Sequence, residues 1–449
     1  MNGLQAVILA GGTGKRVFPL AAIKPKPMFK LLGKPLVQHV IELLKENGLD
    51  NFIIVIGHGG EQIRDYFKDG SELGVHISYT VQKEALGMAN ALETTEALAE
   101  DHFFVVNADD LFEGSLIAKM TKKFKEGTAD IVLSCKPVEE TWKFGIITVK
   151  NDRVMNLVEK PPKGKETSNL AVIGVYLMTK KIFNYFKRIP VSDHQYEDAI
   201  QKFIEDRNNV KAVSYDGFFA GYKYPWDLFR INAFLMDAKI KRPRIEDEVF
   251  ISEKAKVEGN VWIRKGAKIL DNACVKGPCY IGANTVIGNN CLIRGYASIG
   301  DNCIVGFTTE VKGSLIGDNC LFHMNYVGDS IISDGCLFGA GATTGNFRFD
   351  EKNISLIIDG KKVDSGTNKL GAIVSDHSRA GINSSLAPGV RLGPYSIVGA
   401  GVNLQDDLEP GKMIFLDKKS NIIKENTLTL PQEEKQKLMK ALKKYKQTK

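Results

Sequence analysis

The chain has 449 residues, 43% of them apolar and 25% charged, with a formal net charge of +7. That length predicts two or more domains, and the composition is that of an ordinary globular protein. No apolar run could span a bilayer, the start carries no basic leader, and the seven cysteines include no Cys-x-x-Cys pair, which sets aside membrane, secretory, disulfide-framework and zinc-site readings and points to the cytoplasm.

The first element is the apolar run Ala6–Ala10, which breaks into the glycine-rich turn Gly11–Gly14 and then into Lys15 and Arg16. A second apolar run, Phe52–Gly57, follows the stretch PLVQHVIELLKENG, in which Leu36, Val37, Val40, Ile41 and Leu44 recur at helical spacing between Pro35 and Gly48. Further runs rich in β-branched residues at Phe103–Asp109 and Asp130–Cys135 read as strands buried on both faces. Strand, helix, strand predicts a mostly parallel sheet covered by helices, with ligands at the carboxyl ends of the strands. The Gly11–Gly14 turn and Asp109 converge on that rim.

The turn is built to hold phosphates, yet it fits neither common template. In a P-loop frame Leu9 would stand where the first glycine belongs and Arg16 where the hydroxyl belongs; in the dinucleotide frame Val17 replaces the last glycine. A plain tight turn would explain the glycines but not the cations Arg16, Lys24 and Lys26 just downstream.

LAGGTGKRVFPL and KPKPMFKLLGKPL, followed by QKEALGMANAL, VVNADDLF, FGIITV with LVEKP, NLAVIGVYLM and WDLFRIN, resemble in order the signature of sugar-1-phosphate nucleotidylyltransferases over most of residues 1–241. The resemblance implies a dinucleotide-binding-like α/β domain in which Leu9, Gly11, Gly12 and Gly14 hold a nucleoside triphosphate and Gln82 and Gly87 read its base. It implies that Arg16 grips the leaving phosphates and Lys26 the α-phosphate, that Gly145, Glu159, Lys160 and Asn169 meet the sugar, and that Asp109 and Asp227 hold Mg²⁺. Three departures stand out: Lys15 precedes the loop arginine where threonine is usual, Ala108 replaces the glycine before Asp109, and Met88 replaces a threonine near the base. They leave the choice between UTP and dTTP open.

The second half repeats every six residues. Ile251, Val257, Ile263, Ile269, Val275, Ile281, Ile287, Ile293, Ile299, Val305 and Val311 are all β-branched, and small residues such as Ala267, Cys279, Cys291 and Cys303 follow four positions behind. Short strands joined by tight corners need this alternation of large and small inward residues, so the cysteines read as small core residues. The pattern resembles the hexapeptide-repeat, left-handed parallel β-helix. It returns at Leu386, Leu392 and Val398 after an excursion expected between Asn353 and Ser385. The expected division is residues 1–240, a linker at 241–249, the coil at 250–417 and a basic, partly helical tail at 418–449, read as a solvated helix and not as a nucleic-acid site.

LFHMNYVGD and GAGATTGNFRFDEKN interrupt the hexads and resemble the acetyltransferase half of bifunctional glucosamine-1-phosphate acetyltransferase/N-acetylglucosamine-1-phosphate uridyltransferases; KLGAIVSDHSRAGINSSLAPGV is closer to their archaeal versions. That resemblance implies acetyl-CoA as co-substrate, His323 as the base, and Tyr326, Asn346 and Lys352 around the substrates, with a homotrimer forming the site between chains. Arg294 and Lys312, 18 residues apart, are expected to stack on successive coils and to suit a sugar phosphate. His58 and His377 read as structural. The alternatives are a coil that only oligomerises a single-activity enzyme and a non-catalytic assembly subunit, the latter disfavoured by Arg16, Lys26, Asp109 and Asp227.

Overall fold

The run Gln5–Ala10 is a strand buried at every residue, as a sheet covered on both faces requires. In the computed structural model, which describes residues 4–57, 59–127 and 129–417, it pairs in parallel with Asn51–Ile56 on one side and His102–Asn107 on the other. His76–Val81 extends the parallel set. The helix Leu36–Glu46 crosses between the first two strands, starting directly after Pro35, and the left-handed Gly48 lies just beyond its end.

Beyond His102–Asn107 the sheet changes direction. Leu170–Thr179 runs antiparallel to it and to Ile131–Pro137, and the antiparallel pair Gly145–Lys150 and Arg153–Glu159 forms the edge. The run read as Asp130–Cys135 is therefore parallel only to Val210–Ser214. Apolar layers fill both faces of the sheet, one around Val40, Ile41 and Phe104, the other around Phe103, Phe183 and Ile200.

From Arg244 the chain winds into three stacks of short parallel strands, eight, nine and eight strands deep. The first, Arg244–Ile245, lies inside the segment expected to be a linker. The hexad aliphatics from Ile263 to Val311 and the small residues behind them form one continuous buried core. One coil takes 18 residues at first, so that Arg294 stands in register with Lys312, as expected from their spacing. After Val305 the coils shorten, and Phe322 and Phe338 take the inward position.

The excursion is shorter than the sequence pattern implied. A hairpin of Ser355–Ile358 and Lys361–Asp364 leaves the coil, and the coil resumes at Ile373, not at Leu386. Val374 and Ala380 already occupy the inward hexad positions that Leu386, Leu392 and Val398 continue. A further apolar layer joins the two halves: Val17, Leu20, Phe29, Leu235 and Met236 pack with Trp262, Tyr280, Leu315, Ile331 and the hairpin's Leu356 and Ile358. Met1–Ile414 accordingly form one compact unit. The expectations for His58 and for the tail at 418–449 lie outside the described residues. Among the described residues no helix is long and apolar enough to cross a membrane.

Candidate active sites

Where the parallel strands end, their loops surround a cavity of about 1040 Å³. Its wall includes Leu9, Gly11, Gly12, Gly14, Arg16, Lys26, Gln82, Gly87, Asp109 and Asp227, so the sheet topology brings together ten of the residues named from sequence. Local sequence explains the loop. Gly11 packs so tightly against Gln82 that a Cβ would stand 2.6 Å from its Oε1, while Gly12 has nothing within 4 Å and Gly14 sits at φ 67°. Gln82 is fixed by donating to the Gly87 carbonyl and to Asn90 Oδ1, both at 3.0 Å.

The charged groups interlock. Lys26 Nζ bonds Asp109 Oδ2 and lies 5.2 Å from the centre of the Tyr222 ring. Asp227 Oδ2 accepts the backbone N–H groups of Lys223 and Tyr224 at 2.7 and 2.6 Å, which places its carboxylate at the mouth of the helix Asp227–Lys239. Burial raises its pKa above the ordinary value against those bonds and the nearby lysines. Each of these carboxylates keeps an Oδ1 without a hydrogen-bond partner among the described residues. No cluster of three or more metal-ligating side chains occurs among the described residues. Two carboxylates with free oxygens suit a hard cation that completes its shell with substrate phosphates and water.

Sequence reasoning missed several wall residues. Asp110 is buried beside Asp109, takes an N–H from Asn107 Nδ2 at 2.8 Å, and is pushed up to about 7 by burial and by its neighbour's charge. Its carboxylate fills the space a Cβ would need at Gly174 and at Gly221. Lys136, Lys223 and Arg230 add cations, and burial followed by Arg16 lowers the pKa of Lys223. Asp359, at the tip of the hairpin from the coil, also lines the cavity. Conversely, Gly145, Glu159 and Asn169 are not on the wall. Glu159 pairs with Gly145 across the edge strands, with Lys160 Nζ at 3.1 Å, and the cavity is reached instead by the adjoining Phe144 and by Val138, whose N–H donates to the Asn169 carbonyl.

A second constellation lies on the coil. Lys312 Nζ bonds Asp329 Oδ2 at 2.5 Å, the same oxygen accepts from Asn346 Nδ2, and Asn346 Nδ2 also reaches the Tyr326 hydroxyl at 3.2 Å. Arg294, one coil away, is held by Glu310 at 2.6 Å. Asp329, the centre of this network, was not read from the sequence. Lys352 stands apart from it, with its backbone N–H 3.4 Å from Asp350 Oδ1.

His323 occupies a distinctive corner. It follows the inward Phe322, and the equivalent residues of the coils around it are Gly288, Gly306, Gly339, Gly381 and Gly399, with Ser252, Leu270 and Phe415 only at the ends of the stack. At Gly306 a Cβ would stand 2.5 Å from the Phe322 carbonyl oxygen. A side chain therefore projects from this column at His323, exposed and beside the exposed Phe307, Met324 and Ile382.

A glycine loop and charged cavity at a sheet rim, joined to a parallel coil, match two families of transferase models. The Nucleotidyl transferase family model matches residues 5–236 and a model of bacterial transferase hexapeptides (six repeats) matches 260–295 and 278–313. The chain belongs to the nucleotidyl transferase family, and the coil is a left-handed β-helix of hexapeptide repeats. It is 35% identical to the "Bifunctional protein GlmU" of Methanococcus maripaludis strain S2 over 92% of this chain and 97% of that protein. The protein of the same name from Methanocaldococcus jannaschii is 34% identical over 92% and 97% of the two chains. A "Bifunctional sugar-1-phosphate nucleotidylyltransferase/acetyltransferase" from Sulfurisphaera tokodaii is 29% identical over 91% and 99%. The archaeal resemblance read from the sequence thus holds over nearly the whole chain.

Proposed function

We propose that the chain carries two activities: acetyl-CoA-dependent N-acetylation of an amino-sugar 1-phosphate on the coil, and nucleotidyl transfer from UTP or dTTP to a sugar 1-phosphate at the rim. The observation that carries the reading is the convergence of the glycine loop, Arg16, Lys26, Asp109 and Asp227 on one cavity.

At the rim a sugar-phosphate oxygen attacks the α-phosphorus, the bond to the β-phosphate breaks, and pyrophosphate leaves. The protein supplies no nucleophile; it aligns two anions and offsets the charge that builds on phosphorus. Backbone N–H groups at Gly11–Gly14 face the triphosphate, Arg16 draws on the departing phosphates, and Lys26 exchanges Asp109 for phosphate oxygens. Asp109 and Asp227 would hold Mg²⁺, which supplies charge neutralisation when bound.

On the coil, Arg294 and Lys312 would hold the sugar phosphate. His323 takes a proton as the sugar amine attacks the thioester carbonyl, the C–S bond breaks, and the CoA thiol leaves. The exposed apolar residues beside His323 support a site closed by a second copy in a homotrimer. Glucosamine-1-phosphate and UDP-N-acetylglucosamine are the substrate and product we favour.

Two variants separate the activities. Asp109→Asn is expected to lower pyrophosphate release by about a hundredfold or more while CoA release persists, and His323→Ala to do the reverse. Both are read in a screen of UTP and dTTP against four sugar 1-phosphates, with and without acetyl-CoA. Pyrophosphate release unaffected by His323→Ala, together with no CoA release from the wild type, would reduce the coil to a scaffold.

A further inference from the structure

The segment that delivers Lys26 is fastened to the coil. Ser375 Oγ donates to the Pro19 carbonyl at 2.9 Å, and Lys30 Nζ pairs with Asp318 Oδ2 at 2.7 Å. Between them Lys24 Nζ bonds Asp334 Oδ2 at 2.6 Å and Asp376 Oδ1 at 2.7 Å, with the Lys24 and Asp376 side chains 14% and 4% exposed. The receiving surface is an edge of stacked aspartates. Asp301, Asp318, Asp334 and Asp376 each follow by two residues the register partners Ile299, Ile316, Ile332 and Val374. Asp318 Oδ1 accepts the Asp301 N–H and Asp334 Oδ1 the Asp318 N–H, both at 2.8 Å, so each carboxylate is fixed by the coil and offers its Oδ2 to a lysine. Asp376 is held further by Ser333 Oγ at 2.9 Å.

The link from this anchor to the cavity is short and stiff. Lys26 lies between Pro25 and Pro27, whose rings fix φ, and begins a 3-10 turn over Lys26–Met28. Its Nζ is the group that meets Asp109. We propose that Lys24 is a positioning residue for nucleotidyl transfer, its two ion pairs to the coil setting where Lys26 stands in the cavity. Packing alone would not call for charge here, because one buried lysine facing two carboxylates is costly to desolvate and an apolar contact would join the halves as well. The cavity wall carries a second contribution from the coil, Asp359, so this rim is assembled from both halves. The proposal rests on the reading that Lys26 contacts the reacting phosphates.

The test uses full-length Lys24→Met, Lys24→Arg and Asp334→Asn. Pyrophosphate release is measured with UTP and N-acetylglucosamine-1-phosphate and with dTTP and glucose-1-phosphate, alongside CoA release and thermal midpoint. Displacing a phosphate-binding lysine by about an ångström predicts a kcat for Lys24→Met lowered by between about tenfold and about a hundredfold, with KM for the nucleotide within about threefold. Lys24→Arg recovers most of that loss, and CoA release stays within about twofold of wild type. Asp334→Asn, which leaves Asp376 in place, gives an intermediate kcat and carries the test if Lys24→Met does not fold. A Lys24→Met kcat within about twofold of wild type, a parallel fall of both activities, or a loss that arginine does not recover overturns the positioning role. A wild-type protein that releases no pyrophosphate with either pair overturns the underlying reading and this inference with it.

Discussion

His39 shows how a single buried group shapes the response to acid. It is 3% exposed, its Nε2–H donates to the Leu31 carbonyl at 2.9 Å, and its Nδ1 has no partner among the described residues. Burial holds its pKa down at about 4. An unfolded imidazole titrates near about 6.5, so between about pH 6.5 and about pH 4 the unfolded chain binds a proton that the native one refuses, and stability falls as pH falls. Lowering the pH from about 7.5 to about 5 costs roughly 2 kcal/mol through this group. Urea unfolding at both pH values is expected to show that difference in wild type and a smaller one in His39→Gln. Individual residues were also where the sequence was hardest to read. Asp329 meets Lys312 only because the coils shorten below the 18-residue step there, and Lys24, grouped from the sequence with Arg16 and Lys26, leaves the cavity wall to Lys26 and meets a partner 310 positions away that no local pattern marks. Asp110 was hidden by Asp109, since a carboxylate next to another looks like more of the same until the strand end separates their surroundings. His323 carries a visible signal: it interrupts a run of glycines, Gly288, Gly306, Gly339, Gly381 and Gly399, in the middle coils of its column.

Elements with a strict period were the most legible. Gln5–Ala10 and the helix Leu36–Glu46 follow directly from apolar runs and spacing, and the hexads fix which side chains turn inward. Strand direction has no such signature. The run Asp130–Cys135 is as apolar as the parallel strands, yet it pairs antiparallel with Leu170–Thr179 and parallel only with Val210–Ser214. The early return of the coil was missed because Ala380 is too small to register as a hexad aliphatic. The inward cysteines allow a direct check on the coil. Cys279, Cys291, Cys303, Cys320 and Cys336 are buried there and Cys135 is buried in the sheet, while Cys274 is half-buried. Burial raises the Cys279 thiol to about 12 and the Cys135 thiol to about 11, far from the thiolate form that reacts. A thiol reagent should therefore label about one cysteine, Cys274, in the native protein and all seven after denaturation.

At the scale of the molecule, the two halves share a core and not only a tether. Trp262, Tyr280, Leu315 and Ile331 on the coil cover Val17, Leu20, Phe29 and Met236. Cutting the chain after residue 240 would expose that apolar face, and large exposed patches of this kind drive association. A fragment of residues 1–240 is expected to aggregate or to scatter light at concentrations where the full chain does not, as size-exclusion chromatography with light scattering would show. The same measurement on the full chain tests the trimer.

The hairpin tip at Asp359 has a consequence for rebuilding this architecture. A loop that leaves one half to finish the wall of the other makes the halves poor exchange parts. Grafting a foreign coil onto this rim would leave the Asp359 side of the cavity open even if every rim residue were kept, so a chimera needs the hairpin carried across with the rim.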